Sequence, residues 1–307
     1  MAVPRNPLCA AQPLIFSQGC FRASSSIVLA YRHLFHAGNF ADVFKHSVVV
    51  LLATLITRKN KPFFYLDTHA GTARYDLTLA WAQKNREYDE GIGRVFSRSD
   101  CPEPVRAYLD AVHALNPDGK LRYYPGSPLL VYPMLREHDR MVLTELNRDD
   151  CNRLSREIGP DRRIQVRNMD GYQALKAFLP PKERRGLILI DSSFDRGNEF
   201  ARIIEAVAMA HKRFATGVYA IWYPLMEPAD ISAFEQQIAA SGIRKVLKLE
   251  LSVHPGDWRD GLRGSAMLII NPPFELDTLA APMLHWLWKA LSVDDNGRYR
   301  IKWLVGE

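Results

Sequence analysis

Seven short apolar runs, each rich in β-branched or aromatic residues, recur along the chain at 63–67, 141–146, 164–168, 187–191, 217–223, 246–251 and 267–271. Runs of this length between polar punctuation read as strands. Stretches of helical periodicity lie between most of them, at 149–158, 199–214 and 228–241. A further helix is expected over 40–58, where Val43, Phe44, Val48, Leu51, Leu52, Leu55 and Ile56 recur on one face before Lys61-Pro62 stops it. Strand and helix in alternation predict an α/β fold, a mostly parallel sheet covered by helices on both faces. With 47% hydrophobic and 24% charged residues, the 307-residue chain has the material for a large core, which excludes a disordered or collagen-like protein.

Three of the expected strands end in an acid: Asp67, Glu145 and Asp191. Ligands of open α/β sheets bind beyond the carboxyl ends of the strands, at the topological switch point, so these carboxylates mark the site. Asp67 and Glu145 stand much further apart than the ~20 residues that separate glycine turn and ribose-binding acid in a dinucleotide fold. An insertion is therefore expected, at about 75–122, with one helix around Trp81 and a second over 103–115, forming a small cap at the mouth of the site.

The loop Asp67-Thr68-His69-Ala70-Gly71-Thr72-Ala73-Arg74 resembles that of a Rossmann-like methyltransferase. Only Gly71 remains of a glycine-rich pattern, and Ala73 stands where another glycine is expected. Such a loop disfavours a pyrophosphate-bearing cofactor such as NAD and suits S-adenosylmethionine. Glu145 has two acceptor oxygens for a pair of ribose hydroxyls, or is an exposed glutamate at a strand end. Asp170-Gly171 is placed to meet an adenine amino group, or is an ordinary Asp-Gly turn.

A wider set of strings resembles the RlmJ family of bacterial 23S ribosomal RNA adenine-N6 methyltransferases, from about Leu29 to the C-terminus. They are Tyr31-Arg32-His33, His36-Ala37-Gly38-Asn39, Asp42-Val43, Lys45-His46, Asp67-Thr68-His69-Ala70-Gly71, Tyr124-Pro125-Gly126-Ser127-Pro128, Thr144-Glu145-Leu146, the segment 185–191 and the segment 212–217. The resemblance implies a monomeric Rossmann-like methyltransferase with a seven-stranded, mostly parallel sheet and an inserted helical subdomain, occupying 29–307. It implies S-adenosylmethionine as cofactor and 23S rRNA, free or in an assembly intermediate, as partner. Carried over by position, His46, His69, Gly71, Ser127, Glu145, Asp170, Gly171 and Asp191 contact the cofactor, Lys45 lies beside them, Asp191 is catalytic, and Tyr31 meets the RNA.

Adenine's exocyclic nitrogen is a poor nucleophile because its lone pair is delocalised into the ring. A carboxylate and a backbone carbonyl that accept its two N–H bonds free that lone pair, and an aromatic ring keeps the base in place. The usual Asp-Pro-Pro-Tyr string reads Asp191-Ser192-Ser193-Phe194 here. Asp191, the Ser192 carbonyl and the Phe194 ring retain the three functions, with less backbone restraint than prolines give. A second reading is a non-catalytic RNA-binding or ribosome-assembly protein that kept the fold after losing the two prolines.

Asn271-Pro272-Pro273-Phe274 matches the amino-methyltransferase string better, but it follows the last expected strand, so a structural turn is expected there. His33, His36, His46 and His69 lack the spacing of a metal motif, and no metal is expected. The formal charge of +6 suits an anionic partner, and Arg58-Lys59-Lys61, Arg162-Arg163-Arg167 and Lys182-Arg184-Arg185 are candidate phosphate contacts or solvated faces. Trp222, Trp286, Trp288 and Trp303 read as packing residues. The four cysteines form no C-x-x-C pair, and no run reaches the ~20 apolar residues of a membrane span, so a reducing cytoplasm is expected. Residues 1–28, without regular apolar periodicity, read as a disordered tail or an over-extended start.

Overall fold

The computed structural model describes residues 35–195, 197–258, 261–293 and 296–307. Tyr31, His33 and the 1–28 segment lie outside the described residues. Helix α1 (Phe40–Thr57) opens the fold. Its start is a reciprocal cap: the Asn39 side chain accepts from the Asp42 amide at 3.0 Å, and Asp42 Oδ2 accepts from the Gly38 amide at 3.0 Å. By length and hydropathy this helix passes for a membrane span, yet 89% of it is buried inside the protein, where it packs as a core helix.

Strands β1 (Phe64–Asp67), β2 (Arg74–Asp76), β3 (Tyr123–Pro125), β4 (Arg140–Glu145), β5 (Ile164–Asn168), β6 (Gly186–Ile190), β7 (Val218–Pro224), β8 (Val246–Ser252), β9 (Gly264–Ile270) and β10 (Arg298–Val305) follow in chain order. All but β2 and β3 form one sheet in the order β10-β8-β9-β7-β6-β1-β4-β5. From β5 to β7 every pair is parallel, whereas β9 runs antiparallel to β7 and β8, and β10 antiparallel to β8. The chain leaves β1 toward β4 on one side and returns to β6 on the other, so the switch point lies between β1 and β6.

The expected seven strands thus become eight. β10 was missed because it is an edge strand with one half-covered face: Tyr299 and Ile301 are part-buried between exposed Arg298, Arg300 and Lys302. Trp303, read as a packing residue, is 44% exposed on this edge, its indole donating to Asp277 Oδ2 at 3.3 Å.

Strand alternation splits the core in two. Tyr65, Leu187 and Leu189 face a cluster with α1, while Leu66, Ile188 and Ile190 face the opposite layer. Between β1 and β4 lie helices α2 (Ala80–Asn85), α3 (Ile92–Val95), α4 (Glu103–Ala114) and α5 (Ser127–Val131), with a 3-10 turn at Glu87–Glu90. The antiparallel pair β2–β3 brackets the first three of these helices, and the Ile92 amide ties them to the entry of α1 through the Gly38 carbonyl at 2.8 Å. The later helices are α6 (Arg148–Ile158), α7 (Gly171–Phe178), α8 (Glu199–Arg213), α9 (Pro228–Ala240) and α10 (Leu276–Leu291).

Candidate active site

The carboxyl ends of β1, β4, β5 and β6 converge beside the N-terminal half of α1. After β1 the loop is fixed by cross-strand bonds: Thr68 Oγ1 donates to the Leu189 carbonyl at 2.9 Å, Thr144 Oγ1 to the Thr68 carbonyl at 2.9 Å, and the Ala70 amide to the Thr144 carbonyl at 2.9 Å. Gly71 sits at φ +61° and Ala73 at φ +67°, so the expectation of a second glycine was physically sound: Ala73 holds the left-handed conformation that glycine adopts without strain. The Gly71 amide donates to Glu145 Oε2 at 3.0 Å, and the Asn147 amide to Glu145 Oε1 at 2.8 Å. Burial raises the Glu145 carboxyl, and these amides oppose the rise.

Asp170 is the N-cap of α7, accepting from the Tyr172 and Gln173 amides at 2.9 and 3.0 Å. A Cβ on Gly171 would stand 2.2 Å from the Thr68 carbonyl oxygen, so α7 approaches the β1 loop as only glycine allows. With its one proton given to the Leu189 carbonyl, Thr68 Oγ1 accepts from His69 Nδ1 at 2.8 Å, and burial lowers the His69 pKa.

Asp67 is fully buried and gathers the Ser127 hydroxyl at 2.6 Å and the Tyr65 hydroxyl at 3.0 Å. Burial pushes its carboxyl up to about 6, against these two donors and with help from the Asp191 charge. Because this folded value exceeds the ordinary 3.8, the associated stability is complete below about pH 4 and is lost as pH rises through about 6. Two units correspond to about 3 kcal/mol. Urea unfolding between pH 4 and 7 is expected to show that slope in the native protein and its loss in Asp67→Asn; parallel curves would contradict the assignment.

Lys45 and Asp191 form the centre. Lys45 Nζ lies 2.6 Å from Asp191 Oδ2 and 2.8 Å from Asp42 Oδ1, with 3% of its side chain exposed. Burial alone would lower the ammonium, but the Asp191 and Asp42 charges more than offset it and hold its pKa above the usual value. Asp191 Oδ1 makes no hydrogen bond among the described residues. The Lys45 ammonium also faces the Trp222 ring at 5.5 Å.

A cleft of about 920 Å³ opens in front of this pair, lined by Asp191, Ser192, Ser193, Phe194 and Trp222 on one side and by Glu87, Asp89 and Glu90 on the other. Phe194 lies 6.1 Å from Trp222 and 5.0 Å from Phe200, ring to ring. His36 Nδ1 contacts Glu87 Oε2 at 3.0 Å, which raises the imidazole pKa.

Of the residues assigned to a cofactor, Lys45 and Asp191 line the cleft; His69, Gly71, Glu145, Asp170 and Gly171 surround the ends of β1, β4 and β5. Ser127 is engaged by Asp67, and buried His46 contacts the Tyr124 hydroxyl at 2.8 Å through Nδ1. His36, His46 and His69 have separate partners, and among the described residues no group of three or more His, Cys, Asp or Glu is placed to hold a metal ion. Asn271 caps the other end of the sheet, its side chain donating to the Ala215 and Gly217 carbonyls at 2.8 Å, so the Asn-Pro-Pro-Phe string stands opposite Asp191.

Asp42 and Glu87 carry no role in the sequence pattern, and Trp222, expected as a packing residue, lines the cleft instead. The signal for Asp42 was present: an acid three residues before Lys45 is one helical turn away, inside an otherwise apolar helix.

A family model described as ribosomal RNA large subunit methyltransferase D, RlmJ, matches residues 60–305. The chain belongs to the RlmJ family. It is 44% identical over 280 residues to ribosomal RNA large subunit methyltransferase J of Escherichia coli K12, covering 91% of this chain and 100% of that protein. The protein of the same name from Haemophilus influenzae is 43% identical over 281 residues, with the same coverage. A crystal structure of a Legionella pneumophila protein superposes with a TM-score of 0.81 at 36% identity, covering 87% of this chain and 98% of the other.

Proposed function

We propose that this RlmJ-family chain methylates the N6 amine of an adenine in 23S rRNA, with S-adenosylmethionine as donor. The observation that carries the reading is the state of Asp191: one carboxylate oxygen is clamped by Lys45, the other is open, and the side chain stands on the wall of an aromatic-lined cleft. Asp191 Oδ1 accepts one N6–H bond, and the Ser192 carbonyl accepts the other, drawing the lone pair out of conjugation. Phe194 offers a face to the flipped base. As the nitrogen–methyl bond forms and the methyl–sulfur bond breaks, leaving a neutral thioether, the surplus proton would pass from nitrogen to Asp191 Oδ1.

The residues fit the cofactor. Each Glu145 oxygen accepts one backbone N–H and keeps a second lone pair for a hydroxyl. Ser192 Oγ is buried without a hydrogen-bond partner among the described residues, a polar atom that awaits a ligand. His46, His69, Gly71, Ser127, Glu145, Asp170 and Gly171 hold the adenosine and amino-acid parts, directly or by fixing the loops that do, and Lys45 and Asp191 border the reacting end. When bound, the cofactor supplies a methyl group on a sulfonium, already electrophilic.

Tritium transfer from labelled cofactor into deproteinised 23S rRNA, with the product mapped as N6-methyladenine, is the test. No label in any 23S substrate, naked or ribosomal, would return the chain to the non-catalytic reading. That reading has less support, because a protein relieved of catalysis has no need to keep a desolvated lysine aimed at Asp191.

Neither the Ser192 nor the Ser193 amide donates a hydrogen bond among the described residues, so prolines at both positions forfeit none. Ser192→Pro with Ser193→Pro is expected to raise single-turnover rates about 4- to 30-fold, by restraining the loop that aims the carbonyl. An unchanged or lower rate would show that this loop already has its working geometry.

A further inference from the structure

Among the described residues the cleft is lined by Asp42, Glu87, Asp89, Glu90, Asp191 and Asp195 against only Lys45 and Arg86, so the surplus of positive charge they carry lies elsewhere. It gathers at the opposite end of the sheet. Arg136 donates to the Lys59 and Lys61 carbonyls at 3.0 and 2.7 Å, and Arg185 donates to the Lys61 and Ile56 carbonyls at 2.8 and 2.7 Å. Two sequence clusters, 58–61 and 182–185, are thereby fused into one surface at the amino-terminal ends of β1 and β6. Burial and the neighbouring Arg136 charge lower the Arg185 pKa.

Cations at helix C-termini answer the helix dipole, and that accounts for the arginines that bond carbonyls. It does not account for Lys59, Lys61, Lys182 and Arg184, which are exposed and form no ion pair among the described residues. Nor does it account for Phe274. That ring is 88% exposed on the Pro272-Pro273 turn, which Asn271 anchors to the sheet. The turn is joined to the end of α1 by the Arg58–Glu275 ion pair at 3.2 Å. Unpaired cations beside an exposed aromatic are the chemistry of single-stranded nucleic acid: phosphates take the charges and a base stacks on the ring.

We propose that this face is a second RNA-binding surface, separate from the cleft, in which Lys59, Lys61, Lys182 and Arg184 hold phosphates and Phe274 stacks on an unpaired base. The proposal rests on the reading of the substrate as rRNA. From Lys45 to Arg58 along α1 is about 20 Å, so only an RNA extending well beyond the target nucleotide reaches both sites.

The test is fluorescence anisotropy of the full chain with two labelled probes, a long 23S transcript and a short hairpin carrying the target adenine, across a salt series. Reversal of the four cations (K59E, K61E, K182E and R184E together) is expected to weaken the long transcript at least tenfold and flatten the log-affinity against log-salt slope by about 3. The F274A variant is expected to weaken it about fivefold or more. Affinity for the hairpin, and its methylation, stay unchanged, and the four-alanine variant shows the same pattern at smaller size. An unchanged salt slope for the reversal, or an F274A affinity within twofold of native, overturns the proposal. So does competition by polyglutamate that equals RNA at matched ionic strength, which would mark a site for an acidic polypeptide. If the native chain methylates neither probe, the catalytic reading fails, while the binding measurements still decide this one.

Discussion

Asp191→Asn is expected to lower the single-turnover rate on 23S rRNA by about 10²- to 10⁴-fold, the range for loss of a positioned proton acceptor. The substitution preserves shape and volume, so its effect is chemical. The new side chain carries an amide N–H₂ on one side, and whichever way it turns, it offers the N6 amine either a donor facing a donor or an uncharged oxygen that does not retain a proton. Lys45 keeps Asp42 at 2.8 Å as a counter-charge, so the variant is expected to fold, which near-native circular dichroism and melting would establish before rates are compared. A rate within threefold of native would remove Asp191 from the chemistry and leave the cleft without its acceptor.

Much of the frame was legible in the sequence, for an identifiable reason. β6 is a continuous run of buried aliphatics, Leu187 to Ile190, and so short a run between polar residues reads as a strand covered on both faces. The acids after β1, β4 and β6 were legible because strand order and strand ends place them before any contact is known. What stayed hidden was either short or long-range. β2 and β3 have three residues each and exist by pairing with one another. β10 lacks a fully buried face. The Lys45–Asp191 contact joins residues 146 positions apart, and no local pattern announces it. The fusion of two basic clusters on one face is of the same kind, since Arg185 of one cluster bonds the Ile56 and Lys61 carbonyls at the other, more than 120 positions away.

Lys45→Met is expected to cost more in stability than any substitution on the surface, on the order of 3–5 kcal/mol, because it leaves Asp42 and Asp191 facing one another without the ammonium between them. The sign of its pH dependence separates this from a simple packing defect. In the native protein the lysine pKa is raised, so its contribution persists across the neutral range and is lost only as pH rises past the ordinary lysine value. In the variant the Asp42 and Asp191 carboxylates face one another with no cation between them, and acid relieves their repulsion. The penalty is therefore greatest at neutral pH and above and shrinks as pH falls toward 4. Urea titrations at pH 4.5 and pH 8 are expected to show the two proteins closer together at the lower pH. A gap of equal size at both would mean that methionine merely packs badly. No gap at either pH would mean that Asp191 stands in place without Lys45, and that the charged end of α1 serves the ligand alone.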